Sequence, residues 1–492
     1  MDFPMFHLDW LNDRFLIALI AILHVIINHG LAVGFIPLIT WLEQKGVAKS
    51  HGNEITNKEW DDMAYKMMRV AFIITTTIGA MTGVGIWFSA ALVSPNSIGS
   101  LIRVFFWAWF TEWIVFVTEV VLILIYFLTW KNSNKSLDAK LKHIKFGWRL
   151  AIFSWITMAL IVAILGFMMD PGNWNTHHSL LNGFLNPIYI PQLLFRTPTA
   201  MLVGGTYGLL MAIVITKKGS ELRINAVKNI SKWILCWAPF SLLGAIYYYH
   251  VMPAAMRANM STAIGTMDFE NFYNILKYLI LGVVALVLVV ASVGFFKPRN
   301  LKLYMSIAAL VGVVSFLAVF ERVREFIRKP YVIGNYMYSN LLRVEDYPLY
   351  KKDGILKFAT YSSISEITEK NKTEAGKQVF ILACSRCHTT SGVNSITYVF
   401  ERMYGFDKPL DENAMIAYIP TMHQGRKYMP PFPGNKKELE ALAAFIKHVQ
   451  LTHESVNGAQ TDGIEINKLN NASAVEKLIN DQEKSSENKN NK

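Results

Sequence analysis

Residues 104–130 read V-F-F-W-A-W-F-T-E-W-I-V-F-V-T-E-V-V-L-I-L-I-Y-F-L-T-W. The stretch holds two carboxylates, no lysine and no arginine. An α-helix rises about 1.5 Å per residue, so roughly 20 such residues cross the ~30 Å hydrocarbon core of a bilayer. Working outward from it, the same criterion is met at about 15–41, 67–92, 147–169, 193–216, 233–252, 274–296 and 301–323. No apolar run after 323 reaches that length. The expected fold is therefore all-α, a polytopic membrane bundle of eight transmembrane helices with a soluble C-terminal extension.

The composition agrees. Of 492 residues, 52% are hydrophobic and 17% charged, against roughly 25% charged in an ordinary soluble domain. Lysine and arginine number 48 against 36 acidic residues, a net charge of +12. These cations lie in loops between the apolar runs, and nothing resembles a nucleic-acid module, so the charge reports topology and no nucleic-acid partner is expected. Loops 42–66, 131–149, 217–232 and 297–302 hold 4, 6, 5 and 3 basic residues, whereas 94–100, 170–192 and 253–273 hold 0, 0 and 1. Basic loops stay in the cytoplasm, which places both termini on the outer side of a bacterial cytoplasmic membrane. The N-terminus, M-D-F-P-M-F-H-L-D-W-L-N-D-R-F, lacks the positive region of a cleaved signal peptide. Residues 1–334 form the expected membrane domain, 335–372 a mixed polar connector, 373–452 a compact domain, and 453–492 a polar tail with too little apolar surface to fold.

Cys236 lies in an apolar run, but Cys384 and Cys387 precede His388 in T-E-A-G-K-Q-V-F-I-L-A-C-S-R-C-H-T-T at 373–390. C-x-x-C-H is the attachment signature of haem c: two thiols form thioethers to the porphyrin while the adjacent imidazole reaches the iron. A zinc site would need a second pair of ligands at finger spacing, and none follows. Met429, in K-Y-M-P-P-F-P, is the expected sixth ligand, with Met422 as the competitor. This loop resembles the Met-Pro loop of class I cytochromes c, and K-K-E-L-E-A-L-A-A-F-I-K-H-V-Q at 436–450 resembles that family's closing helix, which packs on the first. One covalent haem c is implied, outside the cytoplasm.

Ionisable groups at membrane depth are costly and suggest function. Within the spans these are His24, His29, Arg103, Glu112, Glu119, Arg196 and His250, with Glu321, Arg322, Arg324 and Glu325 at the end of the eighth. Their surroundings resemble subunit I of the cytochrome bd oxidase family over about 14–334. R-F-L-I-A-L-I-A-I-L-H at 14–24 is similar to that family's first helix, and T-G-V-G-I-W-F at 82–88 to its T-G-x-x-x-E-F, with Trp87 replacing the Glu. G-F-M-M-D-P at 166–171 and L-N-P at 185–187 resemble its G-W-M-x-N-P and L-N-P. E-F-I-R-K-P-Y-V-I-G at 325–334 resembles its E-Y-G-R-Q-P-W-A-I-G.

The resemblance implies that His24 and Glu325 ligate one or two non-covalent haems of type b or d, with Arg322, Arg324 and Arg328 as propionate partners; simple snorkelling is the alternative for these arginines. Glu112 and Glu119 share a face of the third helix about 10 Å apart. Counting back from Trp130 puts Glu119, not Glu112, in register with the family. Together they imply a proton relay or a haem ligand, the alternative being a carboxylate paired with Arg103 or a partner helix. Arg196 stands where the family has the histidine of its low-spin haem, Tyr278 or Leu279 stands at the methionine position, the quinol-binding loop shrinks to about 253–273, and the final helix is missing. The expected function is a bd-like oxidase subunit. It would take electrons from a periplasmic cytochrome or other donor through haem c and reduce dioxygen at a buried haem, beside a homologous membrane subunit. The rivals are a non-catalytic electron conduit, reduction of another small oxidant such as nitric oxide, and a haem-free bundle that merely anchors the cytochrome.

Overall fold

The computed structural model describes residues 6–50, 54–264, 272–360, 362–364, 366–454 and 456. Most of the expected polar tail lies outside these residues, as does part of the loop at 253–273. Among the described residues, eight helices are long and apolar enough to cross a membrane: Asp13–Ala48, Lys58–Val93, Phe106–Ser133, Leu137–Met169, Tyr189–Ile215, Glu221–Val251, Tyr278–Phe296 and Leu303–Ile327. The protein is a multi-pass membrane protein.

Several spans outrun the apolar stretches that announce them, because polar caps start them early. Asn57, Ser136 and Ser220 accept from the backbone N–H of Trp60, Ala139 and Arg223, each satisfying a donor the first turn leaves free. One consequence is that the loop expected at 131–149 shrinks to 134–136, and Lys140 and His143 lie inside the fourth span, buried.

The fourth and fifth spans are the most enclosed. The first meets the fifth where glycines let the backbones touch: a Cβ on Gly34 would lie 1.9 Å from the Ala200 carbonyl oxygen, and one on Gly204 2.3 Å from the Gly34 carbonyl carbon. Small residues of this kind set close helix contact in membranes. The first and second spans each contain a π-helical stretch, Asn28–Phe35 and Thr75–Gly79, a rare geometry that concentrates at functional sites.

The C-terminal domain closes around helices Lys372–Ala383 and Lys436–Thr452. A Cβ on Gly376 would lie 1.9 Å from the Ala441 carbonyl oxygen, so only glycine allows the two helices to cross at this depth. The connector joins the same core: Tyr338, Leu342, Tyr347, Tyr350, Ile355 and Leu356 pack with Val379, Phe380, Leu442 and Phe445. Glu438 fastens the two parts, capping its own helix through Asn435 while accepting from Ile355 N (2.9 Å) and Leu356 N (2.8 Å).

Candidate functional site

The helix Lys372–Ala383 ends at Cys384, and the chain turns so that His388 N bonds back to Cys384 O at 2.9 Å. The Asn394 carbonyl receives His388 Nδ1 at 3.1 Å, which leaves Nε2 as the lone-pair nitrogen for an iron. Burial pushes the His388 imidazole down to about 4, so the ring is neutral at pH 7 and ready to coordinate. Burial also pushes the Cys384 thiol up to about 12. Both cysteines are unbonded to each other. Met422 packs against the domain's apolar core. Met429 sits in the turn that follows, its carbonyl held by His423 Nδ1 at 2.5 Å and its N–H by Arg426 O at 2.8 Å. The described residues contain no group of three or more His, Cys, Asp or Glu able to hold a bare metal ion, whereas a porphyrin brings four ligands of its own and asks for one or two.

The attachment turn is docked on the membrane bundle. Arg386, between the cysteines, is buried; it donates to Val93 O at the end of the second span (2.7 Å) and to Phe6 O (2.6 Å), and pairs with Asp13 at 3.0 Å. Asn12 Nδ2 donates to Cys387 O at 2.6 Å, and Asp9 accepts from Thr390 N at 2.6 Å and from the Thr390 hydroxyl. His7 closes this buried cluster, its two ring nitrogens facing Asp13 at 3.3 Å and Asp9 at 3.1 Å. Asp9 and Asp13 thus meet the Arg386 guanidinium and the His7 ring in one buried cluster. On the other flank, Tyr428, next to Met429, packs its ring on Phe326 of the eighth span at 5.5 Å.

In the membrane part, His24 Nδ1 faces the Gly79 carbonyl at 3.2 Å and Thr82 Oγ1 at 3.1 Å. The acceptor Gly79 ends one π-helical stretch, and the other begins four residues beyond His24. Among the described residues no hydrogen bond engages His24 Nε2, and Gly83 keeps the space beside the ring open, since a Cβ there would come within 3.2 Å of His24 Cε1. Both Glu325 oxygens accept from Arg328 Nη2, at 2.6 and 2.5 Å, and Arg328 also donates to Val332 O. Arg324 is paired with Glu321 at 2.8 Å, and Arg322 is exposed. Arg14, on the first span ten residues before His24, lies within electrostatic reach of Glu325.

Arg196 pairs with Glu321 at 2.7 Å and approaches His29 Nε2 at 3.2 Å, all three buried. Glu119 is buried and accepts from Thr157 at 2.9 Å, while Glu112, two turns away, is only partly enclosed. A second polar cluster, not expected from the sequence, lies at the opposite end of the bundle. There Glu43 receives Lys140 (2.5 Å), His143 (2.7 Å) and the Tyr126 hydroxyl (2.6 Å), and Lys140 also pairs with Asp61 at 2.6 Å. Spacing could have hinted at it: Glu112, Glu119 and Tyr126 recur every seven residues along one face.

Residues 371–446 match the family model described as cytochrome C oxidase, cbb3-type, subunit III. No curated protein matches the chain. The match runs from just before the first helix of the C-terminal domain through most of its closing helix and includes Cys384, Cys387, His388 and Met429. The C-terminal unit is therefore a cytochrome c domain, one that carries haem c covalently and serves electron transfer, attached to a bundle of eight membrane helices.

Proposed function

We propose that this protein is a bd-like terminal oxidase subunit that takes electrons from an outer donor through its cytochrome c domain and delivers them to a buried high-spin haem site where dioxygen is reduced. The observation that carries this reading is the docking of the C-x-x-C-H turn on the ends of the first, second and eighth spans, through Asn12, Arg386 and Phe326. An anchored carrier that served only soluble partners would need no such fixed seat. The haems, when bound, supply one-electron chemistry and an open iron position for oxygen.

The chain's own residues supply the rest. Cys384 and Cys387 fix the covalent group, and His388 and Met429 are its iron ligands. His24, oriented by Gly79 and Thr82, and Glu325, oriented by Arg328, are the ligands in the membrane. Arg322, Arg324 and Arg328 neutralise propionates. Glu119 and Glu112 pass protons where bulk water is excluded. Arg196, locked to Glu321, takes the low-spin ligand's place, which fits entry of electrons through haem c in place of quinol. The working surroundings are a bacterial cytoplasmic membrane, a homologous second subunit, and a periplasmic cytochrome as donor.

The test is oxygen uptake by the purified complex with a reduced soluble cytochrome c as donor. Uptake that requires quinol refutes the entry route. One observation favours a second reading, a non-catalytic conduit: both Glu325 oxygens are taken by Arg328, which would satisfy that carboxylate without any iron. Carbon monoxide binding to the reduced protein separates the two, since a saturated conduit does not bind it. Reduction of nitric oxide at the same site is distinguished by the oxidant consumed.

A further inference from the structure

The end of the eighth span meets the cytochrome domain through Phe326. Glu325 belongs to the proposed membrane site. Phe326, buried beside it, packs its ring at a tilt against Tyr428, the neighbour of Met429, with centroids 5.5 Å apart. Lys329 places its ammonium 4.2 Å from the Phe326 ring centroid. The same lysine lies within electrostatic reach of Cys387 and His388 in the attachment turn and of Glu325 in the membrane. No ion pair holds Lys329 among the described residues. The groups around it are Arg14 from the first span, Arg322 and Glu325 from the eighth, and Cys387. Glu325 is already committed to Arg328. Lys329 also departs from the resembling motif, E-F-I-R-K-P against E-Y-G-R-Q-P, as do Phe326 and Ile327.

We propose that Phe326 and Lys329 form the electron junction between the two haem sites, Phe326 as the packed contact through which the electron passes and Lys329 as a positioning residue that sets the potential of haem c. This rests on the oxidase reading and deepens it. In the step, one electron leaves the ferrous haem c iron, which becomes ferric, and reduces a ferric iron in the membrane site to ferrous; no atom or proton is exchanged. The ferric form of haem c carries one more positive charge than the ferrous form. A cation at Lys329 therefore disfavours oxidation and raises the reduction potential.

Two variants of the full-length protein test this. In K329Q, which restores the residue of the resembling motif, the haem c midpoint shifts to lower potential in a spectroelectrochemical titration, while K329R keeps the wild-type value. In F326A the haem c potential stays in place, and haem c reoxidation by oxygen after rapid mixing slows. An unshifted potential in K329Q overturns the role of Lys329. Unchanged reoxidation in F326A overturns that of Phe326. If wild-type haem c never loses its electron to the membrane site while K329Q still shifts, the oxidase reading fails and only the tuning role of Lys329 survives.

Discussion

Replacing Arg386 with Gln should release the cytochrome domain from the bundle without touching the haem c attachment itself. Arg386 is 2% exposed, donates to Val93 O and Phe6 O, and pairs with Asp13, which is fully buried. Without the guanidinium, Asp13 keeps only His7 and the Leu8 N–H (2.8 Å) against its charge. Breaking one partner out of a buried ion pair costs about 3–5 kcal/mol. At about 1.4 kcal/mol per factor of ten, the docked population relative to the undocked falls by roughly two to three and a half orders of magnitude. Amide hydrogen exchange reads this directly, because Thr390 N and Val393 N bond across the seam to Asp9 and to the Trp10 carbonyl. The expected outcome is a loss of protection at these two amides, with protection inside Lys372–Ala383 retained. Protection unchanged at Thr390 and Val393 would refute the claim that Arg386 is the pin.

The same cluster predicts a pH dependence. Burial alone pushes the His7 imidazole down, but its bonds to Asp13 and Asp9 outweigh burial and raise it above its ordinary 6.5; Asp9, held by His7 and Thr390 against its own burial, lies below its ordinary 3.8. The histidine's contribution is full below 6.5 and is lost as pH rises through the raised value, and the aspartate's is full above 3.8 and is lost as pH falls through the lowered one. The folded cluster is thus most stable between roughly pH 4 and 6.5 and loosens on the alkaline side, which proteolysis at the 6–13 segment across pH 6–9 checks. At the other end of the bundle, Lys140→Met strands Glu43 and Asp61 and costs about 3–5 kcal/mol, seen as a lowered thermal midpoint in detergent; Lys142→Met, whose pair with Asp138 is exposed on both sides, changes it by less than about 1 kcal/mol. Gly376→Val forces the first and last helices of the cytochrome domain apart, and an overpacked core costs about 1–3 kcal/mol or more. Its expected signature is a drop in covalent haem c yield, with the membrane domain still expressed.

The spans were legible because crossing a bilayer is a matter of length and apolarity alone, and the haem c turn because covalent attachment dictates residue type and spacing. What the sequence hid was tertiary. Lys140 and His143 looked like loop cations, and only the Ser136 cap, which starts the fourth span early, shows that they are buried partners of Glu43 and Asp61. The segment from His7 to Asp13 was readable only as unlike a signal peptide; its pairing with Arg386 joins residues more than 370 positions apart, beyond any local pattern. Arg196 could be seen to be no haem ligand, but not that Glu321 would claim it. The π-helical stretches around His24 left no sequence trace, because they come from how the first and second spans pack together.

The central claim is that an iron sits in the membrane near the first and eighth spans, fed from the docked haem c. A pyridine haemochrome assay on the purified protein, combined with reduced-minus-oxidised and carbon monoxide difference spectra, tests it most directly. The account predicts one haem c together with non-covalent haem that binds carbon monoxide and is lost in His24→Ala or Glu325→Gln. Haem c alone, with spectra identical in these variants, would contradict it.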